Sequence, residues 1–363
     1  MTAPLDLVVL GLSLSSSWGN GHATTFRSLL RGLHALGHRT LFLEREQPWY
    51  AQNRDLGAPG FCTLALYNSI EDLVACHAGA IAAADAVIVG SYVPEGVAVI
   101  DAMQAIAPGR VSFYDIDTPV TLARLAQGKE DYIAAHQIPR LATYYSFTGG
   151  PTLERLRQHY GAQQAEPLFC SVEPELYRHT GATQRWDLGY LGTYSPDRQP
   201  TLERLLLEPA RRLPHRRFVV AGAQYPQDID WPGNVERIAH LPPAEHPDFY
   251  SAQRFTLNVT RADMIAAGWS PSVRLFEAAA IGTPIISDAW EGLEALLPGG
   301  VAIARTIEDV VALLEAPSDA PHKAMARRAQ GIVLQRHTGL ARASELVTAI
   351  QLATVPHAVA AVG

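Results

Sequence analysis

The stretch SPSVRLFEAAAIGTPIISD, residues 270–288, decides how this chain is to be read. It opens on serine and proline, runs through small and apolar residues, halts at Gly282 and Pro284, and resumes as the β-branched pair Ile285 and Ile286. That order predicts a short helix, a helix stop and a buried strand. Ser270 is expected as N-cap, with Pro271 at the first helical position, where its missing N–H costs nothing. The amides of Ser272, Val273 and Arg274 would then stand unspent at the positive end of the helix dipole, which suits an anion. Two charges, Arg274 and Glu277, interrupt the apolar run. They share a stripe with Ser270 at spacings of four and three, and the stripe continues as the apolar Ala278 and Ile281. A stripe that is polar only near the helix start fits a ligand there: Arg274 and the amides on a diphosphate, Glu277 on two vicinal hydroxyls of a ribose. The plain alternative is an intrahelical Arg274–Glu277 pair, worth about 0.2–0.5 kcal/mol.

Outward from this stretch, strand-like apolar runs recur at 5–14, 40–44, 85–90 and 110–117, and again at 187–193 and 217–222. Helical patterns separate them; Phe26, Leu29, Leu30, Leu33 and Leu36 keep the three- and four-residue rhythm of one helix face. Continuous apolar strands alternating with helices predict parallel sheets covered on both faces. The alternation lapses over 166–186, which reads as a linker. The expected class is α/β with two Rossmann-like, doubly wound domains, 1–170 and 171–335. A helical tail over 336–363 is expected to pack back across them. Two such domains would each open a crevice at the C-terminal ends of their strands, forming an interdomain cleft suited to two substrates.

Composition narrows the function. With 363 residues, 48% hydrophobic and 18% charged, the chain can bury two cores and has the make-up of a soluble enzyme. A net charge of −7 argues against nucleic acid as a partner. Three separated cysteines (Cys62, Cys76, Cys170) exclude a disulfide framework and suit the cytoplasm. The N-terminus lacks the basic start of a signal peptide, and no run of 18 apolar residues marks a transmembrane segment.

Three segments carry a family resemblance: Glu277 followed by AAAIGTPII (278–286), LNVTRADM (257–264) and LGYLGTYSPDR (188–198). They resemble the donor-binding segments of GT-B glycosyltransferases, in particular the family-4-like and CgeB-like groups. The resemblance implies GT-B architecture with a nucleotide-sugar held mainly by the C-terminal domain. It puts Glu277 on the ribose, and Arg261, Arg274 and the amides from Ser272 onward on the diphosphate, with Gly192, Thr193 and Arg198 at the turn beside it. HLPPAEHPDFY (240–250) resembles the loop region that covers the base. Trp269 stands eight residues before Glu277, where family-4 enzymes carry the first glutamate of an E-x7-E pair, so the resemblance does not extend to sugar handling or stereochemistry. Asp288 and Glu291 either meet sugar hydroxyls or cap a helix.

On the N-terminal side, SSSWGNGHATTF (15–26) places Gly19, Asn20 and Gly21 before His22. By position, His22 resembles the general base of inverting GT-B enzymes; otherwise it is a packed histidine at a helix start. Asp115 and Asp117, in FYDIDTP (113–119), either orient His22, with Asp117 as its catalytic partner, or bind the acceptor. Asp-Ile-Asp imitates a metal motif of a different glycosyltransferase fold, and no obligatory metal is expected.

The resulting expectation is a metal-independent, hexosyltransferase-like enzyme. It would move sugar from a UDP-, dTDP- or GDP-sugar to a hydroxyl or other nucleophile of a glycan, lipid, metabolite or protein. Two rivals stand beside it. Gly19 and Gly21 with Glu44 at the end of the second strand imitate the fingerprint of an NAD-dependent oxidoreductase, although Thr24 replaces the third glycine. A non-catalytic nucleotide-binding protein would keep the donor site alone.

Overall fold

A computed structural model describes residues 3–18 and 21–354. The chain divides into two compact units: the first runs to Ser171 and is rejoined from Gly339, the second is Val172–Thr338. The division falls inside the expected linker region, and the chain passes between the units twice.

The first unit is built on seven strands: β1 (Asp6–Gly11), β2 (Arg39–Arg45), β3 (Thr63–Tyr67), β4 (Ala86–Gly90), β5 (Val111–Asp115), β6 (Tyr144–Ser146) and β7 (Ala165–Pro167). They form one sheet in the order β3-β2-β1-β4-β5-β6-β7, and every pairing is parallel. The central strands β1 and β4 are buried on both faces, which is why their sequences show no polar alternation. On one face Val8, Leu10, Val87, Val89 and Phe113 pack together. On the other, Leu7, Val9 and Ile88 meet Phe26, Leu29, Leu30 and Leu33 of the helix His22–Ala35.

The tail helix Gly339–Thr354 packs in that second layer, through Ala343, Leu346, Val347 and Ile350. It approaches the His22–Ala35 helix backbone to backbone: a Cβ on Gly32 would lie 2.2 Å from the Gly339 carbonyl oxygen, and one on Gly339 2.3 Å from that of Ser28. The tail therefore belongs to the first unit's core.

The second unit holds β8 (Trp186–Leu191), β9 (Phe218–Ala221), β10 (Val235–Ile238), β11 (Gln253–Asn258), β12 (Ile285–Ser287) and β13 (Ala302–Ile303). Their order is β10-β9-β8-β11-β12-β13, again all parallel. Leu188, Tyr190, Phe218, Val220, Phe255 and Leu257 pack on Leu202, Leu205 and Leu206 of the helical stretch that follows β8. Among the described residues no helix is long and apolar enough to cross a membrane.

The contact at Gly32 makes a prediction. Gly32→Ala should destabilise the protein by about 1–3 kcal/mol despite alanine's better helix propensity, because a backbone carbonyl fills the space. Urea unfolding checks it; an unchanged midpoint would mean that the two helices do not meet there.

Candidate functional site

In the second unit, the predicted donor residues follow β8 (Gly192, Thr193, Arg198), β11 (Arg261) and β12 (Asp288) or stand on the helix between the last two and at its N-cap (Ser272, Arg274, Glu277). The helix of the opening stretch spans Val273–Ile281, with Ser272 in extended geometry as its N-cap, two residues later than expected. Gly268 and Trp269 both take positive φ (64° and 48°) and turn the chain just before it. The Ser270 hydroxyl is consumed within that turn, donating to the Gly268 carbonyl at 3.0 Å, so it is not free to cap. Ser272 instead reaches the sheet: its hydroxyl donates to Asn258 Oδ1 at 3.2 Å, and Asn258 Nδ2 donates to Ser287 Oγ at 2.9 Å. Asn258 and Ser287 are register partners at the ends of β11 and β12. The helix start is thereby tied to the sheet edge, leaving the Val273 and Arg274 amides without intrahelical acceptors.

Asp288 serves the same scaffold. Its buried carboxylate accepts from the Thr260 amide and hydroxyl, both at 2.8 Å, and burial raises its pKa above the ordinary aspartate value. It joins the loop after β11 to the end of β12 and caps no helix.

Arg274 and Glu277 form no intrahelical ion pair; among the described residues Arg274 has no carboxylate partner at all. Glu277, only 5% exposed, points into an aromatic cluster. Its Oε2 accepts from the Tyr250 hydroxyl at 3.2 Å, and His246 Nδ1 lies 3.8 Å from the same oxygen. The Tyr177 hydroxyl is 3.4 Å from that ring nitrogen. Burial first, then the Glu277 charge, raise Tyr250 and Tyr177 well above the ordinary phenol value, so both stay protonated.

Arg198 donates to the Thr193 carbonyl at 2.7 Å, while its Nε is buried without a partner. Burial lowers its pKa most; the nearby cations Arg274 and Arg261 lower it further, against an opposing effect of Tyr190. Arg261 has one acidic neighbour, Asp197 Oδ2 at 3.8 Å. Three guanidiniums thus gather near one helix start, and among the described residues Asp197 is their one carboxylate partner. Beside them the turns after β8 and β9 touch: Gly222 has φ 152°, and a Cβ there would lie 2.0 Å from the Gly192 carbonyl oxygen. That oxygen accepts from the Tyr225 hydroxyl at 3.0 Å, and Arg237 stacks over Tyr225 and Trp231 at 4.2 and 4.1 Å. Sequence reasoning missed Tyr177 and Tyr225, and it read His246 and Tyr250 only as part of a loop over the base, not as neighbours of Glu277. His246 and Tyr250 did carry a signal, a spacing of four on the short helix His246–Ser251.

In the first unit, His22 opens its helix and stands edge-on to Tyr92, with ring centroids 5.1 Å apart. Burial pushes its pKa down to about 4, so the ring is neutral near pH 7; Nδ1 is buried without a partner. Among the described residues neither Asp115 nor Asp117 bonds to it. Asp117 accepts from the Tyr92 hydroxyl at 3.0 Å and so reaches His22 through that tyrosine. Asp115 is fully buried and accepts from Tyr144 OH (2.5 Å), Thr121 Oγ1 (2.8 Å) and the Asp117 amide (3.2 Å). Burial raises its pKa to about 6. Gly21 is exposed as the helix N-cap; Gly19 and Asn20 lie outside the described residues. Glu44, the acid of the dinucleotide fingerprint, is buried and accepts from the Leu14 and Ser15 amides at 2.6 and 2.8 Å and from the Ser15 hydroxyl at 2.7 Å. It is spent holding the loop after β1, so a ribose would have to displace those bonds.

Comparison with known proteins gives these features a context. Residues 198–348 match the family described as "Glycosyl transferase-like". No curated protein matches the sequence. Among solved structures, sucrose-phosphate synthase from Thermosynechococcus elongatus superposes with TM-score 0.70 at 14% identity, over 96% of this chain and 98% of that one. Anabaena HepE, solved in complex with UDP and glucose, gives 0.67 at 11%, over 96% and 100%. Trehalose-6-phosphate synthase OtsA gives 0.67 at 11%, over 95% and 99%. The chain has the GT-B glycosyltransferase fold. Its second unit carries most of the glycosyl transferase-like match, and within this GT-B fold the arginine cluster and Glu277 lie at the strand ends of that unit.

The buried Asp115 generates a pH prediction. Its folded pKa, about 6, lies above the ordinary 3.8, so the native state binds more protons between these values and stability falls as pH rises through that window. Asp115→Asn lacks this loss. From pH 4 to 7.5 its stability relative to wild type should improve by up to about 3 kcal/mol. Thermal melts across pH decide it; a constant difference between the two proteins would show an unperturbed carboxyl.

Proposed function

We propose that the protein is a glycosyltransferase of the CgeB-like, hexosyl-transferring kind that uses a nucleoside-diphosphate sugar without an obligatory metal. The reading is carried by the convergence of Arg198, Arg261 and Arg274 at the start of the Val273–Ile281 helix, where two of the three lack a carboxylate partner among the described residues. Like charges held together await an anion, and a diphosphate supplies charge and acceptors to all three. Glu277, one turn on, presents a carboxylate oxygen for the ribose, oriented by Tyr250. Gly192 and Thr193 bring backbone close to the phosphates. In transfer, the bond from the anomeric carbon to the diphosphate breaks and its electron pair leaves with the nucleotide, stabilised by the arginines. The acceptor oxygen bonds to that carbon and passes its proton to the neutral His22 imidazole, if transfer inverts. Asp117 would orient His22 through Tyr92, and Asp115 would hold the loop that carries Asp117. The three free cysteines suit a cytoplasmic setting.

UDP is the first nucleotide to test, since HepE was solved with it. At about 100 times its dissociation constant it should stabilise wild type by about 2.7 kcal/mol in a thermal-shift assay. Glu277→Ala and Arg274→Ala should abolish most of that shift, and Tyr250→Phe should weaken UDP by about tenfold or more, the loss of one hydrogen bond to a charged group. A response to dTDP or GDP would change the base and keep the class. A shift with NAD alone, or with no nucleotide, would sink the reading; nucleotide binding without turnover of any UDP-sugar would favour a non-catalytic protein.

His22 also has a kinetic signature. A base with pKa about 4 keeps kcat/KM level from pH 6 to 8 and loses activity only toward pH 4. An acid limb near 6.5, or His22→Asn at full activity, would assign the proton to another group.

A further inference from the structure

We infer that the second unit carries a binding site for a small polyol phosphate, at the end of its sheet opposite the donor residues. The inference is independent of the glycosyltransferase reading. The predicted donor residues lie beyond the C-terminal ends of the strands. At the opposite end β11 begins at Gln253, and Gly282, Thr283 and Pro284 lead into β12. There the first turns of the helix Ala320–Arg336 face a recess of about 360 Å³. That volume suits a small metabolite.

Most polar groups of its walls are already used. Arg254 donates to Asp319 Oδ1 at 2.8 Å and to the Leu314 carbonyl at 2.6 Å. Thr283 Oγ1 donates to the Tyr250 carbonyl at 2.8 Å, and Ser251 Oγ accepts from the Thr180 amide at 3.2 Å. These bonds fix the shape of the recess and leave a few lining groups over. Lys323 and Arg327 stand exposed one turn apart, and among the described residues neither has a carboxylate within ion-pair distance. His179 Nδ1 accepts from the Gly181 amide at 3.0 Å, so its Nε2 is the donor. Gln253 is only 6% exposed; its Nε2 donates to the Phe249 carbonyl at 2.9 Å, while its Oε1 is buried without a hydrogen bond. His322 Nε2 is likewise buried and unbonded.

The unused groups select the ligand. Two like charges at a spacing of four oppose each other on a helix, and an anion between them reverses the sign. Asp319 does not fill that role. It is the one carboxylate lining the recess, and its hydrogen bond with Arg254 is the main cause that holds it below the ordinary aspartate range; Lys323 and His322 add to this only as nearby charges. A phosphate monoester brings close to two charges and acceptors for Lys323, Arg327 and His179. A buried amide oxygen without a partner calls for a donor, which a hydroxyl supplies and an ionised phosphate does not. A nucleobase would want an aromatic face, and Phe255, which lines the recess, is fully buried. One small compound carrying both a phosphate and hydroxyls meets all these demands.

Isothermal titration calorimetry of the full chain at one ionic strength tests the site, with glycerol-3-phosphate, glucose-6-phosphate and inorganic phosphate as probes. Wild type should bind at least one of the two esters about tenfold or more tightly than inorganic phosphate. Lys323→Gln/Arg327→Gln should weaken that ester at least about tenfold at an unchanged melting temperature, since both side chains are exposed. Gln253→Met should weaken the ester and leave inorganic phosphate as it was. Arg274→Ala should bind the ester as wild type does, because the donor helix start plays no part. Absence of saturable ester binding would overturn the inference, and so would equal binding by the Lys323/Arg327 variant. Inorganic phosphate bound as tightly as both esters would overturn the polyol assignment, and loss of the ester in Arg274→Ala would move it to the donor residues. If Gln253→Met does not fold, the charge pair and the comparison with inorganic phosphate still decide.

Discussion

Parallel strands cannot be joined by a tight turn, so each must be followed by a crossover that returns the chain along the outside of the sheet. Among the described residues all thirteen strands obey that constraint. The consequence is directional: every strand of a unit ends at the same edge, and the loops that leave those ends are gathered there from distant parts of the sequence. In the second unit this edge collects Gly192, Gly222, Thr260, Ser272 and Asp288. In the first it collects Trp18, His22, Tyr92 and Asp117.

Sheets covered on both faces impose a second demand. Polar groups that fall inside the edge must find partners there, because water cannot serve them. Four buried side chains answer it: Glu44 on the loop after β1, Asp115 on Tyr144 and Thr121, Asn258 between Ser272 and Ser287, and Asp288 on Thr260. Each is chemically able to serve a ligand, and each is occupied with holding a loop. What remains among the described residues is a smaller set: Arg274 at the helix start, with no carboxylate partner, and Arg198 Nε and His22 Nδ1, buried without hydrogen bonds. A site is recognisable here as the groups that the scaffold has not used.

The legibility of the sequence follows the same division. The long central strands were readable because burial on both faces leaves an uninterrupted apolar run. β3, β6, β7 and β13 escaped notice, being edge strands or only two or three residues long, and so did the central β11, whose Gln253, Arg254 and Thr256 interrupt the apolar run. The helix of residues 270–288 was readable, but its start was not: Ser270 and Ser272 are equally good caps, and the positive φ of Gly268 and Trp269 decided between them. Arg274 and Glu277 were singled out as charges in an apolar run, and they form no ion pair with each other. Their separate fates, one toward a tyrosine–histidine cluster and one toward other arginines, were not foreseeable from their spacing.

The sequence by itself determined the α/β class, the two successive strand–helix series, and the helix whose first turns carry Arg274 and Glu277. These rest on hydrophobic period and turn chemistry, which neighbouring residues express. Only the tertiary structure decided which charged residues are free. Hydrogen-bond partners are chosen across the fold: Ser15 lies 29 residues from Glu44, Tyr250 27 from Glu277, and Tyr144 29 from Asp115. At such separations chain order places no constraint on which side chains meet. The packing of the sheets brought Glu44 to a serine loop and left Arg274 without a carboxylate partner among the described residues.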